Sequence, residues 1–246
     1  MAETTVGVLH PGEMGAAVGA VLRDRGHRVV WASASRSEAT RARAEEAGLE
    51  DVGSLEAVAE SDFVLSICPP HAALDVAGQL ESFDGVYVDA NAVSPRTAAR
   101  VGELVDRFVD GGIVGSPPRE AGTTRLYLSG GEAPAVAELF AGSVLDARVV
   151  SAASAVKMAY AAWTKGSAAL LLAVRDLARA EGIEETLIEE WALSIPELPE
   201  RSERAARSAE KKGWRWVGEM EEIAATFEAA GLPGGFHQAA AEVFRR

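Results

Sequence analysis

Two glycines near the start of the chain could hold a phosphate group. They lie in VGVLHPGEMGAAVG, where an apolar run of strand type leads into small residues of helix type. In a complete dinucleotide-binding turn, one glycine makes the turn, a second admits the diphosphate and a third lets the helix pack on the strand. Here the first place is a histidine. We predict a nucleotide-binding turn, the alternative being a plain strand-to-helix corner with two glycines. The predicted residues are His10, Pro11, Gly12, Glu13 and Met14, with Gly15 as the last glycine.

The segment that follows the second apolar run predicts which nucleotide binds. An NAD-binding unit usually places Asp or Glu at this point to hold the ribose hydroxyls. This chain has ASASRSEATR, which offers hydroxyl groups and guanidinium groups instead. Because such groups suit a 2′-phosphate, the sequence predicts NADP(H) in preference to NAD(H). The predicted residues are Ser33, Ser35, Arg36 and Ser37. The alternative, which can hold at the same time, is a polar loop in which Ser35 or Ser37 caps the next helix.

The elements that must position these residues fall into two halves. Up to about residue 151, short β-branched runs alternate with helix-length amphipathic segments, the pattern of a parallel sheet with crossover helices. Several runs are apolar at consecutive positions, as expected for strands buried on both faces. After residue 151 the sequence is helical, with breaks at SIPELPE and GLPGGF. We predict an α/β fold, with a Rossmann-type doubly wound parallel sheet in residues 1–151 and an all-α domain in residues 152–246.

One long helix is expected at the start of the second half. The segment SAASAVKMAYAAWTKGSAALLLAVRDLARAEG is apolar on nearly all sides, which predicts a buried helix. A helical part of this size does not fully bury such a surface by itself. We therefore predict a homodimer that shares the helical domain.

Composition narrows the class of protein. The net charge is −13, which argues against a nucleic-acid partner because affinity for a phosphate backbone comes mainly from Lys and Arg. The single cysteine, Cys68, fits a reducing compartment, and no apolar run reaches the length of a membrane span. We expect a cytoplasmic protein that acts on a small molecule. No metal is expected, since the four histidines show no ligand spacing.

Three motifs together resemble the β-hydroxyacid dehydrogenase superfamily, which includes 3-hydroxyisobutyrate and 6-phosphogluconate dehydrogenases and, as a divergent branch, imine reductases. The motifs are GVLHPGEMG, DANAVSP and the altered substrate segment DGGIVGSPPREAGTTRLYLSGG. The resemblance covers most of the chain, and is strongest to phosphogluconate-dehydrogenase-like oxidoreductases whose C-terminal domain has no assigned function. It implies a nicotinamide cofactor and hydride transfer.

The resemblance also implies a catalytic lysine, Lys157, on the long helix. An ammonium group there can stabilise negative charge on a carbonyl oxygen and then donate a proton, and burial would lower its pKa toward neutrality. The alternative is a lysine whose head reaches water. The family has Asn one turn later, where this chain has Ala161; Tyr160 and Thr164 share the face and could replace the amide. Glu219, in GEMEEIA, stands where the family has Asp in a second motif.

Further site residues follow from the ends of strands and from one loop. Backbone amides in GGIVGSPPRE could meet a substrate carboxylate; the candidates are Gly115, Ser116 and Arg119. The alternative is a simple turn between strands. Cys68, Pro69, Pro70 and Asn91 follow two central strands and are expected to border the cofactor. If Trp163 and Trp216 line the pocket, the substrate has an apolar part.

Three hypotheses about function remain open. The first is an NADP-dependent enzyme that acts on a small hydroxyacid, ketoacid or related carbonyl, with Lys157 as proton donor or acceptor. The second is NADPH-dependent imine reduction, which the missing Asn favours and the lysine disfavours. The third is a non-catalytic NADP-binding protein, because the turn and several motifs are altered.

Overall fold

The computed structural model describes residues 4–80 and 82–245. Eight strands form one sheet: β1 Thr5–Val8, β2 Arg28–Trp31, β3 Glu50–Asp51, β4 Phe63–Ser66, β5 Val86–Asp89, β6 Phe108–Gly115, β7 Thr124–Ser129 and β8 Leu145–Val149. The helices of this part are α1 Glu13–Asp24, α2 Glu38–Glu46, α3 Leu55–Val58, a short 3-10 helix Pro70–Ala72, α4 Ala73–Gly78, α5 Pro95–Gly102 and α6 Ala133–Leu139.

The remaining helices follow the sheet along the chain. They are α7 Ala153–Ala180, α8 Glu184–Ser194, α9 Leu198–Ala229 and α10 Gly235–Phe244. The predicted α/β class, with an all-helical C-terminal part, is therefore confirmed. Internal contacts divide the chain into residues 1–157 and 158–246, so the division lies within α7.

The strand order is β3-β2-β1-β4-β5-β6-β7-β8, and the pairs from β3 to β6 are parallel. The order 3-2-1-4-5-6 reverses direction between β1 and β4, the point at which open α/β sheets bind ligands. One pair departs from the parallel pattern, because β7 runs antiparallel to β6. Only residues 116–123 join these two strands, and a parallel crossover needs a dozen residues or more.

The strands β1, β4 and β5 are buried on both faces, as their consecutive apolar residues predict. Leu65 and Val88 belong to one cluster of buried side chains, while Val64 and Tyr87 belong to another. Since neighbouring residues of a strand point to opposite faces, the two clusters are the two sides of the sheet. Strand β3 was missed because it has two polar, exposed residues at the edge of the sheet.

The prediction that α7 is buried on nearly all sides was wrong for the single chain. Trp163 is 66% exposed, Leu170 51% and Leu177 61%. These residues recur every seven positions and so share one side of the helix. The sequence shows that the side chains are apolar, but burial depends on what packs against them. No helix among the described residues combines the length and apolar character that crossing a membrane requires.

Candidate cofactor and active site

The turn between β1 and α1 is tight and leaves space in front of it. The Gly12 amide donates to the His10 carbonyl at 2.8 Å, and Gly12 is the N-cap of α1. A Cβ at Gly15 would lie 2.2 Å from the His10 oxygen, so only glycine lets the helix approach the turn this closely. A Cβ at Gly12 would have no atom within 4 Å. The second glycine of the turn thus faces open space, next to a helix N-terminus of the kind that binds phosphate.

A crevice of about 540 Å³ lies beside this turn, where the strand order reverses. Its volume is within the range of small-molecule and cofactor sites. It has an apolar part, formed by Leu9, Ala32, Leu55, Val58 and Val76. It also has a polar part, formed chiefly by His10, Ser35, Arg36, Ser54, Glu56 and Gln79. This combination suits a flat base together with a charged sugar phosphate.

Two nitrogen atoms at this crevice are buried and have no hydrogen-bond partner among the described residues. They are Nδ1 of His10 and Nε of Arg36. Burial, followed by the nearby charge of Arg36, lowers the pKa of His10 to about 4, so its imidazole is neutral at pH 7. Buried polar groups are normally paired, which makes two such atoms at one crevice a sign of a ligand.

Hydrogen bonds between side chains and the Ser33 backbone hold the loop between β2 and α2 in place. The Ser33 amide donates to Asp51 Oδ1 at 3.0 Å, and the Arg41 guanidinium donates to the Ser33 carbonyl at 3.0 Å. Ser35 has a φ of 58°, in the left-handed region that disfavours most side chains. Ser37 caps α2, since its Oγ accepts from the Thr40 amide at 3.3 Å. Ser37 therefore acts as a helix cap, which was the alternative to a cofactor-binding role, whereas Ser35 and Arg36 line the crevice.

The ends of β4 and β5 are joined by Asn91, which is 2% exposed. Its Oδ1 accepts from the Cys68 amide at 2.5 Å, and its Nδ2 donates to Ser66 Oγ at 3.1 Å. Asn91 thus holds the segment that leads into Pro69 and Pro70, both half-buried. Burial raises the pKa of the Cys68 thiol to about 11, so Cys68 is a neutral packing residue at pH 7.

Hydrogen bonds fix the start of α7 on β6 and β7. The Ser154 amide donates to Asp110 Oδ2 at 2.9 Å, and the Ala153 amide donates to Ser129 Oγ at 2.9 Å. The Ser129 hydroxyl in turn donates to Asp110 Oδ2 at 3.0 Å. Burial raises the pKa of Asp110, while these bonds oppose the shift. A carboxylate at a helix N-terminus also interacts favourably with the helix dipole.

Lys157 lies one turn further along α7, in the part of the helix that this anchor positions. Its Nζ donates to the Ile113 carbonyl at 2.8 Å. A Cβ at Gly112 would lie 2.8 Å from Lys157 Cβ, so the glycine allows helix and strand to meet. Asp110 is in register with Asp89 at the end of β5, and β6 continues beyond that point to Gly115. The ammonium is therefore on the carboxyl side of the sheet, where such folds bind ligands.

The two residues that could replace the family's asparagine, Tyr160 and Thr164, offer a substrate fewer polar contacts than the sequence suggests. Ala161 is fully buried, and the Thr164 hydroxyl donates to the Tyr160 carbonyl of its own helix at 3.2 Å. Tyr160 is 47% exposed. The Thr164 hydroxyl is thus bonded to its own helix, which helical spacing does not reveal.

The predicted substrate loop is shorter than its glycines indicate. Residues 111–115 belong to β6, because the antiparallel partner β7 extends that strand to Gly115. The loop starts at Ser116, whose carbonyl accepts from the Thr124 hydroxyl at 2.5 Å. Arg119 is exposed and lines a different crevice, of about 510 Å³, beside Glu13 and the outer residues of α1. The structure thus does not bring Arg119 to the crevice of His10.

The helical residues 158–246 contain a groove of about 330 Å³, which includes three of the predicted residues. Trp163, Thr164 and Trp216 line it together with Arg201. Arg201 donates to Ser167 Oγ at 2.9 Å and lies 5.5 Å from the centre of the Trp163 ring. Arg201 was not predicted from the sequence, because nothing in a mixed-charge helix distinguishes one arginine from its neighbours.

Glu219 is held in an ion pair within the helical residues. Its carboxylate is 2.7 Å from Lys165 Nζ, and both side chains are largely buried. Pairing of this kind offsets the cost of burying either charge alone. No group of three or more potential metal ligands occurs in the part of the chain that the structure describes.

The protein is of the class of nicotinamide-nucleotide oxidoreductases with a Rossmann-type sheet. Three features define this class: the strand order, the glycine turn where that order reverses, and the lysine beyond the carboxyl edge of the sheet. Two family models match the chain, and the first of them agrees with this class. Residues 5–93 match the family "NADP oxidoreductase coenzyme F420-dependent", and residues 178–246 match "Domain of unknown function (DUF1932)". The chain belongs to the β-hydroxyacid dehydrogenase superfamily of NAD(P)-dependent dehydrogenases and reductases.

Similar proteins support this membership over most of the chain. An uncharacterized 28.5 kDa protein of Methanothermus fervidus is 31% identical over 191 residues, which are 75% of this chain and 74% of that protein. A solved conserved protein of unknown function, described as structurally similar to 3-hydroxyacid dehydrogenases, is 29% identical with a TM-score of 0.71; the match covers 98% of this chain and 95% of that one.

Two further solved structures share the fold at lower identity. The 3-hydroxyisobutyrate dehydrogenase of Mycobacterium tuberculosis has a TM-score of 0.72 and 19% identity, with 99% of this chain and 93% of that chain covered. A reductive aminase of Aspergillus terreus, solved with NADPH and ethyl levulinate, has a TM-score of 0.61 and 19% identity, with coverage of 99% and 93%.

Proposed function

We propose that the protein is an NADP(H)-dependent dehydrogenase or reductase that acts on a small hydroxyacid, ketoacid or related carbonyl compound. The position of the Lys157 ammonium, on the Ile113 carbonyl beyond the carboxyl edge of the sheet, is the observation that carries this proposal. In this proposal residues 1–151 bind the cofactor, and residues 152–246 serve substrate binding and dimerisation.

The residues present fit an NADP(H) molecule. Gly12 and the first turn of α1 would hold the diphosphate, with Pro11, Glu13 and Met14 as the neighbouring residues of the turn. Ser35 and Arg36 would hold the 2′-phosphate at the crevice, and the orphaned Arg36 Nε supports this role. Pro69 and Pro70, held in place through Asn91, would border the nicotinamide ribose.

The chemistry needs one hydride and one proton. When bound, NADPH supplies a hydride to the carbonyl carbon of the substrate. Lys157 stabilises the charge that develops on the carbonyl oxygen and gives that oxygen a proton, which leaves a neutral amine and an alcohol. In the opposite direction the neutral amine accepts the hydroxyl proton. Tyr160, one turn along the helix, is the second candidate for proton transfer.

Imine reduction is the alternative. The observation that favours it is Ala161, a buried apolar side chain where the superfamily motif has an amide for the substrate. A C=N substrate that carries no hydroxyl group does not require that amide.

The test is NADPH binding, followed by turnover. We expect NADPH fluorescence to change on mixing, and NADPH absorbance to fall with one member of a panel of 2-ketoacids, 3-oxoacids and semialdehydes. Turnover with imines alone would support the alternative. Binding of NADPH without turnover on any compound would contradict both enzyme proposals.

We also propose a homodimer formed through the apolar stripe of α7, which consists of Trp163, Leu170 and Leu177. The stripe is more than half exposed in the single chain, although exposed apolar patches on soluble proteins usually mark interfaces. Light scattering should give twice the 25.8 kDa mass of one chain. Leu170→Glu combined with Leu177→Glu should give the single-chain mass, whereas Leu232→Glu, an exposed leucine outside α7, should leave the dimer intact. A wild-type mass of one chain would contradict the proposal.

A further inference from the structure

We propose that His10 is a specificity-determining ligand of the 2′-phosphate of NADP(H), and that it takes up a proton from solvent when this phosphate binds. This inference rests on the proposed NADP(H) function. It assigns a role to the side chain that stands where a complete dinucleotide-binding turn has its first glycine.

The geometry of the crevice carries the inference. His10 follows β1 and Arg36 follows β2, so the two side chains reach the same crevice from neighbouring strands. Each has a buried nitrogen without a partner among the described residues, Nδ1 in His10 and Nε in Arg36. A single anion with several acceptor oxygens would pair both groups, and a phosphate monoester is such an anion.

The local backbone explains how a histidine is accommodated here. Ser35 is the one described non-glycine residue with a positive φ, so His10 is in a backbone conformation that ordinary residues adopt. The Gly12 amide closes the turn on the His10 carbonyl, and Gly15 provides the close helix packing. The turn therefore keeps its shape while position 10 carries a side chain that lines the crevice.

Binding a phosphate reverses the electrostatic environment of His10. Without a ligand, burial and the charge of Arg36 hold the pKa of His10 at about 4. A phosphate dianion beside the ring favours the imidazolium form, so the pKa of His10 rises on binding. A rise that crosses pH 7 makes binding consume a proton.

Two neighbouring titratable groups do not account for this proton uptake. Hydrogen bonds from its own backbone and from Ser54 lower the pKa of Glu56, which stays ionised near pH 7. Cys68, with a pKa of about 11, stays a neutral thiol. Glu13 is the first residue of α1. The side chains of Asp51 and Arg41 are both hydrogen-bonded to the backbone of Ser33. In this proposal, the proton is taken up by His10 when the phosphate binds, because the phosphate charge favours the imidazolium form.

Calorimetry in buffers of different ionisation enthalpy counts the protons that are taken up. At pH 7 we expect about half to one proton per NADPH bound and none per NADH, because only NADPH carries the phosphate. We also expect the Kd for NADPH to rise between pH 6.5 and pH 8.5, while the Kd for NADH stays constant.

Two variants make the test specific to His10. His10→Gln keeps a hydrogen-bond donor that cannot be protonated, so it should abolish the proton uptake and weaken NADPH binding by about tenfold at pH 6.5. His10→Gly places the glycine of the usual turn at this position. This variant should lose the preference for NADPH to the same extent, with the Kd for NADH unchanged. His27→Gln, outside the crevice, is the matched control and should keep the uptake. Thermal unfolding confirms that each variant is folded.

The outcomes separate this inference from the function on which it rests. NADPH binding with no proton uptake, or uptake that persists in His10→Gln, would overturn the role of His10 and leave the cofactor assignment in place. Failure of the wild-type protein to bind either nucleotide would overturn both.

Discussion

Lys157→Met is expected to lower kcat by about 10²- to 10⁴-fold with the Kd for NADPH unchanged, because general acid catalysis contributes a factor of this size. Methionine keeps most of the stem that packs against β6 near Gly112, and removes the ammonium that Ile113 holds. The loss should therefore affect the chemical step and leave the fold intact. The measurement is steady-state NADPH oxidation with the best substrate of the panel, together with NADPH fluorescence titration.

Lys211→Met is the matched control for this variant. Lys211 is an exposed lysine on α9, so the same change of charge and shape should leave kcat within about twofold of the wild type. Lys157→Arg keeps the charge but holds its proton at any accessible pH, and should recover little activity. A Lys157→Met enzyme with unchanged kcat would remove this residue from the mechanism.

Arg36→Met should raise the Kd for NADPH by about 10- to 100-fold and leave the Kd for NADH unchanged. A charge-assisted hydrogen bond to a phosphate contributes about 1.5–3 kcal/mol, which corresponds to that range. The structure provides the reason for expecting a large effect, since Arg36 lines the crevice and its Nε has no other partner among the described residues. Isothermal titration with both nucleotides measures the ratio directly.

Arg43→Met tests whether this effect is specific or a general effect of charge. Arg43 is exposed on α2, so its substitution removes the same charge at a site outside the crevice. We expect a change in NADPH affinity below about threefold, which salt should largely screen. Equal losses of NADPH affinity in the two variants would contradict a direct contact between Arg36 and the 2′-phosphate.

The fold was largely predictable because its signals are local. Consecutive apolar residues such as those of β4 and β5 indicate strands that are buried on both faces, and the structure confirms them. The glycine spacing of the first turn was also informative, since Gly15 occupies a position at which a Cβ would collide with the backbone of His10. Each of these signals depends on residues that are close together in the chain.

The candidate site was less predictable because it depends on contacts between distant segments. Arg36 and Ser37 look alike in the sequence as polar loop residues, but one lines the crevice and the other caps α2. Arg119, a candidate for contact with a substrate carboxylate, lies beside the outer side of α1, which its sequence context does not indicate. Asp110 begins the altered substrate segment of the superfamily, yet its bond to the start of α7 spans 44 residues.

The sequence by itself determined the alternation of strands and helices apart from the edge strand β3, the glycine turn, and the residue types available to bind an anionic nucleotide. These follow from backbone preferences and from apolar periodicity, which act within a few residues. The tertiary structure alone decided that β7 runs antiparallel to β6 and that the apolar stripe of α7 stays exposed. It also decided that His10 and Arg36 meet at one crevice, each with a nitrogen that has no partner among the described residues. Pairing and burial are properties of surfaces that fold together, and no single segment contains that information.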